Sequence, residues 1–425
     1  MSSPSSAVVV GGGVAGLCSA YYLRKRGLDV TVLESNRVGS GASWGNGGWI
    51  CPAQAGPLPE PGLTWYGIRS LLDPSSALYF QRRRLPELTP WLLRFWSYCN
   101  ERDHARGVEA LAMLGRGVFD LVDEMVADGV EFELHRQGML IAARDADHAR
   151  QELAKLEPMR AYGYELPEDV LTGAELHALE PALAPEVDAG VVVAQHWHVR
   201  PDSFTEGIAA ALRRMDVEVV EGAEVHDFVT EGGRLGGVRS AAGDYRADAY
   251  LLAAGAWTNS LAAMVGVEFP MEAGKGYSFF VKPSVLPSHS ILLADVHVGC
   301  TPLGDKMRIG GTMEFSGLNS RLDERRIADI TTAARDCFQP WRSPEIEQPW
   351  AGMRPITPDG LPVLDSAGSL SNLFVATGYA MQGVTLAGPA GEAMAELIAT
   401  GEKPELLEPF GIERLRGRRR RRRNG

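Results

Sequence analysis

Ala7-Val-Val-Val-Gly-Gly-Gly-Val-Ala-Gly16 is the stretch from which the rest of the chain can be read. Its four opening residues are small and apolar, as a strand buried on both faces requires. Gly11, Gly13 and Gly16 fit G-x-G-x-x-G directly after that strand. A helical stretch with Leu17, Tyr21 and Leu23 follows and closes near Gly27. Asp29-Val-Thr-Val-Leu-Glu34 then reads as a second strand. Strand, glycine turn, helix and strand in about 30 residues make a βαβ unit. Each part has a physical task. Gly11 makes the tight turn, Gly13 lets the backbone approach a pyrophosphate, and Gly16 allows close helix–strand packing. The helix start, with Val14 and Ala15, presents free N–H groups and a positive dipole end to phosphates. Glu34, 18 residues past Gly16, suits a ribose 2′-hydroxyl and would repel a 2′-phosphate; Ser35 sits beside it. A dinucleotide other than NADP is expected.

Composition sets the limits around this unit. The chain has 425 residues, 45% hydrophobic and 23% charged, which suits a folded protein of about two domains. The net charge of −12 argues against the body gripping nucleic acid. Cys18, Cys51, Cys99, Cys300 and Cys337 are dispersed with no CxxC pair, so neither a disulfide framework nor a zinc site is expected. We read a reducing, cytoplasmic compartment. The N-terminus shows no basic segment followed by an apolar one, and no signal peptide is expected. Residues 38–59 and 366–391 are long and uncharged but rich in Gly and Pro. They read as ligand-lining segments and not as membrane spans.

Further along, Val108, Leu111, Leu114, Val118, Leu121, Val122 and Met125 recur at helical spacing and predict one amphipathic helix. Strands are expected near 139–142, 190–194, 217–220, 249–253, 274–281, 307–310 and 373–377, and helices over 149–156, 204–215 and 324–338. A last helix ends near Thr400. His196-x-His198 would share one strand face, but no third ligand is near and no metal is expected.

Three stretches favour FAD over NAD. Gly39-Ser-Gly-Ala-Ser43-Trp-Gly-Asn46-Gly47-Gly48 has the small residues that a backbone beside a diphosphate and a flat ring needs. Leu251-Leu-Ala-Ala-Gly255-Ala-Trp257 is a buried strand breaking at glycine. Phe374-Val-Ala-Thr-Gly378-Tyr379-Ala-Met-Gln-Gly383-Val384-Thr385 is another, with a helix start that would stabilise a reduced flavin. A second G-x-G-x-x-G is missing, so electrons should enter from an organic substrate.

These pieces, with Lys275-Gly-Tyr277-Ser, Met307-Arg-Ile-Gly-Gly-Thr312 and Trp350-Ala-Gly-Met-Arg354-Pro-Ile-Thr-Pro-Asp359-Gly, resemble the D-amino-acid oxidase superfamily of FAD-dependent oxidoreductases. Within it the chain looks like the bacterial D-amino-acid dehydrogenase small-subunit type, over residues 6–411. The resemblance implies an α/β fold of two discontinuous domains. One is a Rossmann-like FAD-binding domain (1–56, 190–268, 350–411). The other is an α+β, mixed-sheet substrate domain (57–189, 269–349). It implies that Arg354 clamps a substrate carboxylate, that Val225 offers its backbone to the adenine, and that Tyr277 faces the substrate, although a core tyrosine is the plainer alternative. Tyr379 stands where many such relatives carry His. Covalently flavinylated relatives use a cysteine where this chain has Gly352-Met353, so non-covalent FAD is expected. Lys275 near the ring is a weaker candidate for tuning oxygen reactivity. The implied reaction oxidises the Cα–N bond of a D-amino acid by hydride transfer to flavin. The imine then hydrolyses to a 2-oxo acid and ammonia, and the acceptor is a quinone or oxygen. Oxidation of another amine, and a flavin-binding protein without turnover, stay open. Residues 412–425 carry eight Arg and one Glu and read as a disordered tail. It is either plainly solvated or a peripheral contact with an anionic membrane.

Overall fold

The computed structural model describes residues 3–70 and 76–415. One sheet has six strands in the order Glu218–Val220, Asp29–Leu33, Ser6–Val10, Ala249–Leu252, Leu373–Thr377 and Val363–Ser366. The first five are parallel and the last is an antiparallel edge. Side-chain alternation along Ser6–Val10 fixes the layers. Ala7 and Val9 enter a core with the helices Val14–Lys25 and Gly383–Thr400. Val8 and Val10 enter a second core beneath the antiparallel sheet Val225–Glu231, Arg234–Ser240 and Gly243–Tyr245. With both faces covered, a polar residue in the run would be left without water or partner, which is why the run is wholly apolar.

Between Leu33 and Glu218, and again between Leu252 and Val363, the chain leaves to build a nine-stranded mixed sheet. Its order is Trp341–Ile356, Glu272–Pro283, Lys306–Phe315, Val298–Leu303, Ser290–Leu293, Met139–Ala143, Ala189–Val193 and Leu171–Thr172, with Leu78–Phe80 also paired to Lys306–Phe315. Two boundaries fall differently from expectation. Ala189–Val193, assigned from residue 190 to the cofactor part, pairs with Met139–Ala143. Residues 350–356 extend a 16-residue edge strand of the large sheet. The helix expected across 108–125 is two, Glu101–Gly115 and Val118–Ala127, because Gly117 has φ +77° and breaks the run. Leu111, Leu114, Val118, Val122 and Met125 from both pieces still pack with Val14–Lys25, so the apolar spacing survives the break. No helix among the described residues is long and apolar enough to cross a membrane.

The chain end is ordered further than expected. Ile412–Leu415 forms a 3₁₀ turn with Ile412 and Leu415 buried, whereas the arginine run 418–423 lies outside the described residues. Arg414 donates from Nε to Asp359 at 2.7 Å and from Nη2 to the carbonyls of Leu361 and Pro362 at 2.7 and 2.8 Å. The guanidinium thus straps the Thr-Pro-Asp-Gly turn that follows Arg354. Removing it would strand the Asp359 carboxylate, whose side chain is 8% exposed. Arg414→Ala should cost about 3 kcal/mol in denaturant unfolding, and truncation after Leu415 should cost under about 0.5 kcal/mol. An equal loss in both would show that the ordered turn is not what the end contributes.

Candidate active site at the junction of the two sheets

The glycine turn leaves no room for side chains. Gly11 has φ +119°, and a Cβ there would lie 2.5 Å from the Ala253 carbonyl oxygen; a Cβ on Gly16 would lie 1.9 Å from that of Gly11. Gly13 caps the helix that begins at Val14 and Ala15, and no acidic residue occupies the first turn to oppose an anion. Glu34 reaches over the turn and accepts from the Gly12 amide at 2.8 Å. Ser35 Oγ donates to Glu34 at 3.1 Å, and the Glu34 carbonyl accepts from Ala223 N at 2.8 Å. This brings Glu34 and Ser35 beside the turn that leads to Val225, the first residue of its strand. The cradle, the helix start and the acidic residue fit the diphosphate and ribose of FAD.

The loop 43–49 then crosses to the large sheet and is fastened at both sides. Ser43 Oγ accepts from Val14 N at 3.0 Å. On the sheet side, Ser278 Oγ donates to the Gly45 carbonyl at 2.6 Å, Thr301 Oγ1 to that of Gly47 at 2.9 Å, and Arg308 Nη1 to that of Trp44 at 2.6 Å. Asn46 turns inward, with Nδ2 donating to the Ala42 and Ser43 carbonyls and Oδ1 accepting from Gly48 N. It shapes the loop and does not project from it. At the far end, Thr385 Oγ1 donates to the Trp49 carbonyl and accepts from Cys51 N. Gly383, Val384 and Thr385 form the first turn of their helix. The preceding Gly378 has φ +82°, and Gly255, φ +55°, accepts from Thr377 Oγ1 at 2.8 Å. Gln382 Oε1 and the Tyr379 hydroxyl are buried without a hydrogen-bond partner among the described residues. The orphaned Gln382 oxygen fits a polar ligand in this cleft, whereas the Tyr379 ring packs in the core with the helix Val14–Lys25. Trp257, by contrast, is 46% exposed, because its 3₁₀ turn points the ring outward.

Pleating decides which residues of the large sheet face this loop. Gly274 pairs with Arg354, Gly276 with Gly352 and Ser278 with Trp350, so these six share one face. A Cβ on Gly276 would meet Arg354 Nη1 at 2.3 Å, and one on Gly352 would meet the Trp350 ring at 1.9 Å. Guanidinium and indole therefore lie side by side over a pair of glycines, with Trp350 reaching Gly45. Arg354 Nη1 donates to the Thr312 carbonyl at 2.8 Å. Thr312 has φ +66°, an uncommon state for a β-branched residue, at the bulge opposite Gly276. Burial alone draws the Arg354 pKa down to about 10, with no carboxylate opposing it. An unpaired buried guanidinium that keeps some accessible surface is a site waiting for an anion.

Tyr277 is a correction. It points to the opposite face, where its hydroxyl donates to Glu314 at 2.7 Å in a core with Ile327 and Ile330. Lys275 shares that face and pairs with Glu314 at 2.9 Å. The structure keeps both away from Arg354, since strand neighbours of Gly276 must face the other way. Tyr379 lies next to the residue whose amide bonds the Pro355 carbonyl, and burial pushes its phenol pKa up. It stays a neutral hydroxyl.

The sequence reading passed over Trp350 and Arg308. Arg308 is 3% exposed, stacks on Phe280 at 4.5 Å and on Trp44 at 5.1 Å, and burial lowers its pKa to about 10. Both lie on the loop-facing side of their strands, a pattern that Gly274 and Gly276, spaced by two, and Trp350, Gly352 and Arg354, at the same spacing, would have shown. His196 lies in the turn before Trp197–Val199 and not within the strand; His198 stacks on His135 at 4.5 Å. Burial lowers their pKa values to about 3 and about 4, against about 6.5 in an unfolded chain. Between these limits the unfolded chain binds protons that the native one refuses, so stability should fall as pH drops below 6.5. Each histidine contributes a slope of up to about 1.4 kcal/mol per pH unit. His196→Leu should flatten the acid limb of a Tm–pH curve, and an unchanged slope would show that His196 is protonated in the fold.

Comparison with known proteins agrees with this architecture. The family model described as FAD dependent oxidoreductase (DAO) matches residues 6–397. The D-amino acid dehydrogenase of Methylobacterium nodulans is 32% identical over 413 residues, covering 94% of this chain and 96% of its own. That of Bradyrhizobium diazoefficiens is 30% identical over 412 residues, with the same shares. Among solved structures, glycine oxidase from Geobacillus kaustophilus superposes with a TM-score of 0.73 at 21% identity, covering 97% of this chain and 99% of its own. L-proline dehydrogenase from P. horikoshii gives 0.71 at 20%, covering 98% and 99%. A glycine cradle, a loop seated between two sheets and a family match over nearly the whole chain converge: the chain belongs to the DAO family of FAD-dependent oxidoreductases.

Proposed function

We propose that this protein is a dehydrogenase of D-amino acids that uses non-covalent FAD. The observation that carries the reading is Arg354, a buried guanidinium with no carboxylate of its own, on the sheet face that the loop 43–49 covers. The named dehydrogenases at 30–32% identity support the substrate class. FAD, when bound, supplies the two-electron acceptor for the hydrogen leaving the substrate Cα. Gly11–Gly16 and the helix start would hold its diphosphate, Glu34 its ribose, and the loop 43–49 with Gly378–Thr385 its ring. Arg354 pairs both carboxylate oxygens through its planar fork and so fixes the orientation of the Cα–H bond. Trp350, lying over Gly352 and Gly45, narrows the site and excludes water. The amine enters neutral, and no side chain on this face has to serve as base: Lys275, Tyr277 and Glu314 are engaged with one another on the other face. The imine leaves to hydrolyse to a 2-oxo acid and ammonia, and a quinone or oxygen takes the electrons.

Non-covalent attachment is supported by where the thiols lie. Cys300 and Cys337 are in the core on the far side of the large sheet, and burial holds the Cys51 thiol up at about 12, too high for a nucleophilic thiolate. We also propose that the arginine-rich end makes a peripheral contact with an anionic membrane. Arg94, beside the exposed Leu93, donates to the Leu415 carbonyl at 3.4 Å, so the chain departs next to an apolar and basic helix face.

Arg354→Lys keeps the charge but not the fork. A charged hydrogen bond of this kind contributes roughly 1.5–3 kcal/mol, so kcat/KM for D-amino acids should fall about 10- to 150-fold with FAD content unchanged. A loss within about twofold would place the clamp elsewhere. Gly276→Ala should raise KM by roughly tenfold or more, because its methyl group occupies the guanidinium position. Unaltered KM in steady-state assays would show that Arg354 rests differently in the working enzyme.

A further inference from the structure

What lies beside the carboxylate clamp tells which side chain the substrate carries. Moving from Arg354 away from Trp350, the same sheet face is covered by Met313 and Ile356: a Cβ on Gly274 would meet Met313 Sδ at 2.3 Å and Ile356 Cδ1 at 2.5 Å. Met313 Sδ stands 3.9 Å from Arg354 Nη1. Both residues belong to a cluster built on Phe80, Trp91 and Phe315, at whose partly open edge lie Met313, Ala380 and Leu58. Phe80 and Phe315 stack at 5.3 Å, and Trp91 packs on Phe315 at 5.4 Å, so the shelf is rigid. Ala380 is fixed against the clamp strand because its amide donates to the Pro355 carbonyl at 2.9 Å.

Charge is missing from the Met313 end of this wall. Lys275 and Glu314 are paired on the opposite face. On this face the Glu272 carboxylate stands directly opposite Ile356, so the uncharged stretch of the wall is the one at Met313, between Ile356 and Arg354. Burial raises the Glu272 pKa while Arg84 lowers it, which places Arg84 alongside. Arg308 is paired opposite Phe280, six residues from Gly274 along the strand, or roughly 20 Å. A substrate carboxylate on Arg354 thus has an indole on one side and a thioether with an aliphatic and aromatic shelf on the other.

We infer that the enzyme is specific for D-amino acids with a sizeable apolar side chain, and that Met313 sets this preference. The inference rests on the reading of Arg354 as the carboxylate clamp. A polar or charged side chain set against Met313 would lose its water and find no partner there, whereas each added methylene would gain burial worth about fourfold in kcat/KM.

The test is the anaerobic bleaching of the FAD holoenzyme by a panel of D-amino acids, followed by kcat/KM for each. Expected are a rise of about fourfold per methylene from alanine to norvaline, and leucine above its near-isostere asparagine by at least about tenfold. Met313→Gln, similar in length but polar, should lower the leucine-to-alanine ratio by roughly tenfold, and Met313→Leu should preserve it. Bleaching with asparagine, aspartate or lysine as effective as leucine would overturn the inference and leave the clamp standing. An unchanged ratio in Met313→Gln would overturn the role of Met313. A holoenzyme that none of the D-amino acids bleaches would overturn the underlying reading of Arg354 as well.

Discussion

The structure depends on three side chains of the large sheet, Ser278, Thr301 and Arg308, that reach across and hold the carbonyls of Gly45, Gly47 and Trp44. Without them the loop 43–49 would belong only to the parallel sheet, through Ser43 and Val14. With them, the cofactor cradle and the proposed carboxylate clamp have a common wall. Each bond satisfies a backbone carbonyl that burial would otherwise strand. The junction is thus a polar seam between two apolar cores, fixed in register and not merely in contact.

Two arginines show how much this seam governs. Arg308 is buried and Arg354 partly buried on the loop-facing side of the large sheet, and loss of water lowers the pKa of each to about 10. Arg308 is answered by two aromatic rings and the Trp44 carbonyl, so its charge is spent on structure. Arg354 is answered by one carbonyl, that of Thr312, in a strained backbone state. Arg308 Nε also lacks a hydrogen-bond partner among the described residues, so the two cations differ instead in cover: rings close over Arg308, whereas Arg354 keeps accessible surface on the face where we propose that substrate binds.

Much of this was legible in the sequence. The eight apolar and glycine positions from Val9 to Gly16 determine the βαβ unit, because larger or polar side chains would clash with those contacts or lose their water. Arg354 stands out through its motif, and the structure leaves it without a carboxylate partner among the described residues. What stayed hidden was the face on which each strand residue points. Tyr277 adjoins Gly276 in sequence but lies across the sheet from Arg354, and a bulge at Thr312 resets the alternation on the neighbouring strand. Trp350 and Arg308 gained roles only from pairings between strands far apart in the chain. The end of the ordered chain was also misjudged, since Arg414 looks like part of an arginine tail until its contact with Asp359, 55 residues away, is seen.

The account therefore turns on where a substrate carboxylate rests. The direct measurement is a crystal structure of the FAD holoenzyme soaked with an unreactive carboxylate such as benzoate. The account predicts both carboxylate oxygens within hydrogen-bonding distance of the Arg354 guanidinium, about 2.7–2.9 Å, with the ring against Met313. A carboxylate bound instead at Arg308, or at Lys275 on the opposite face, would contradict it.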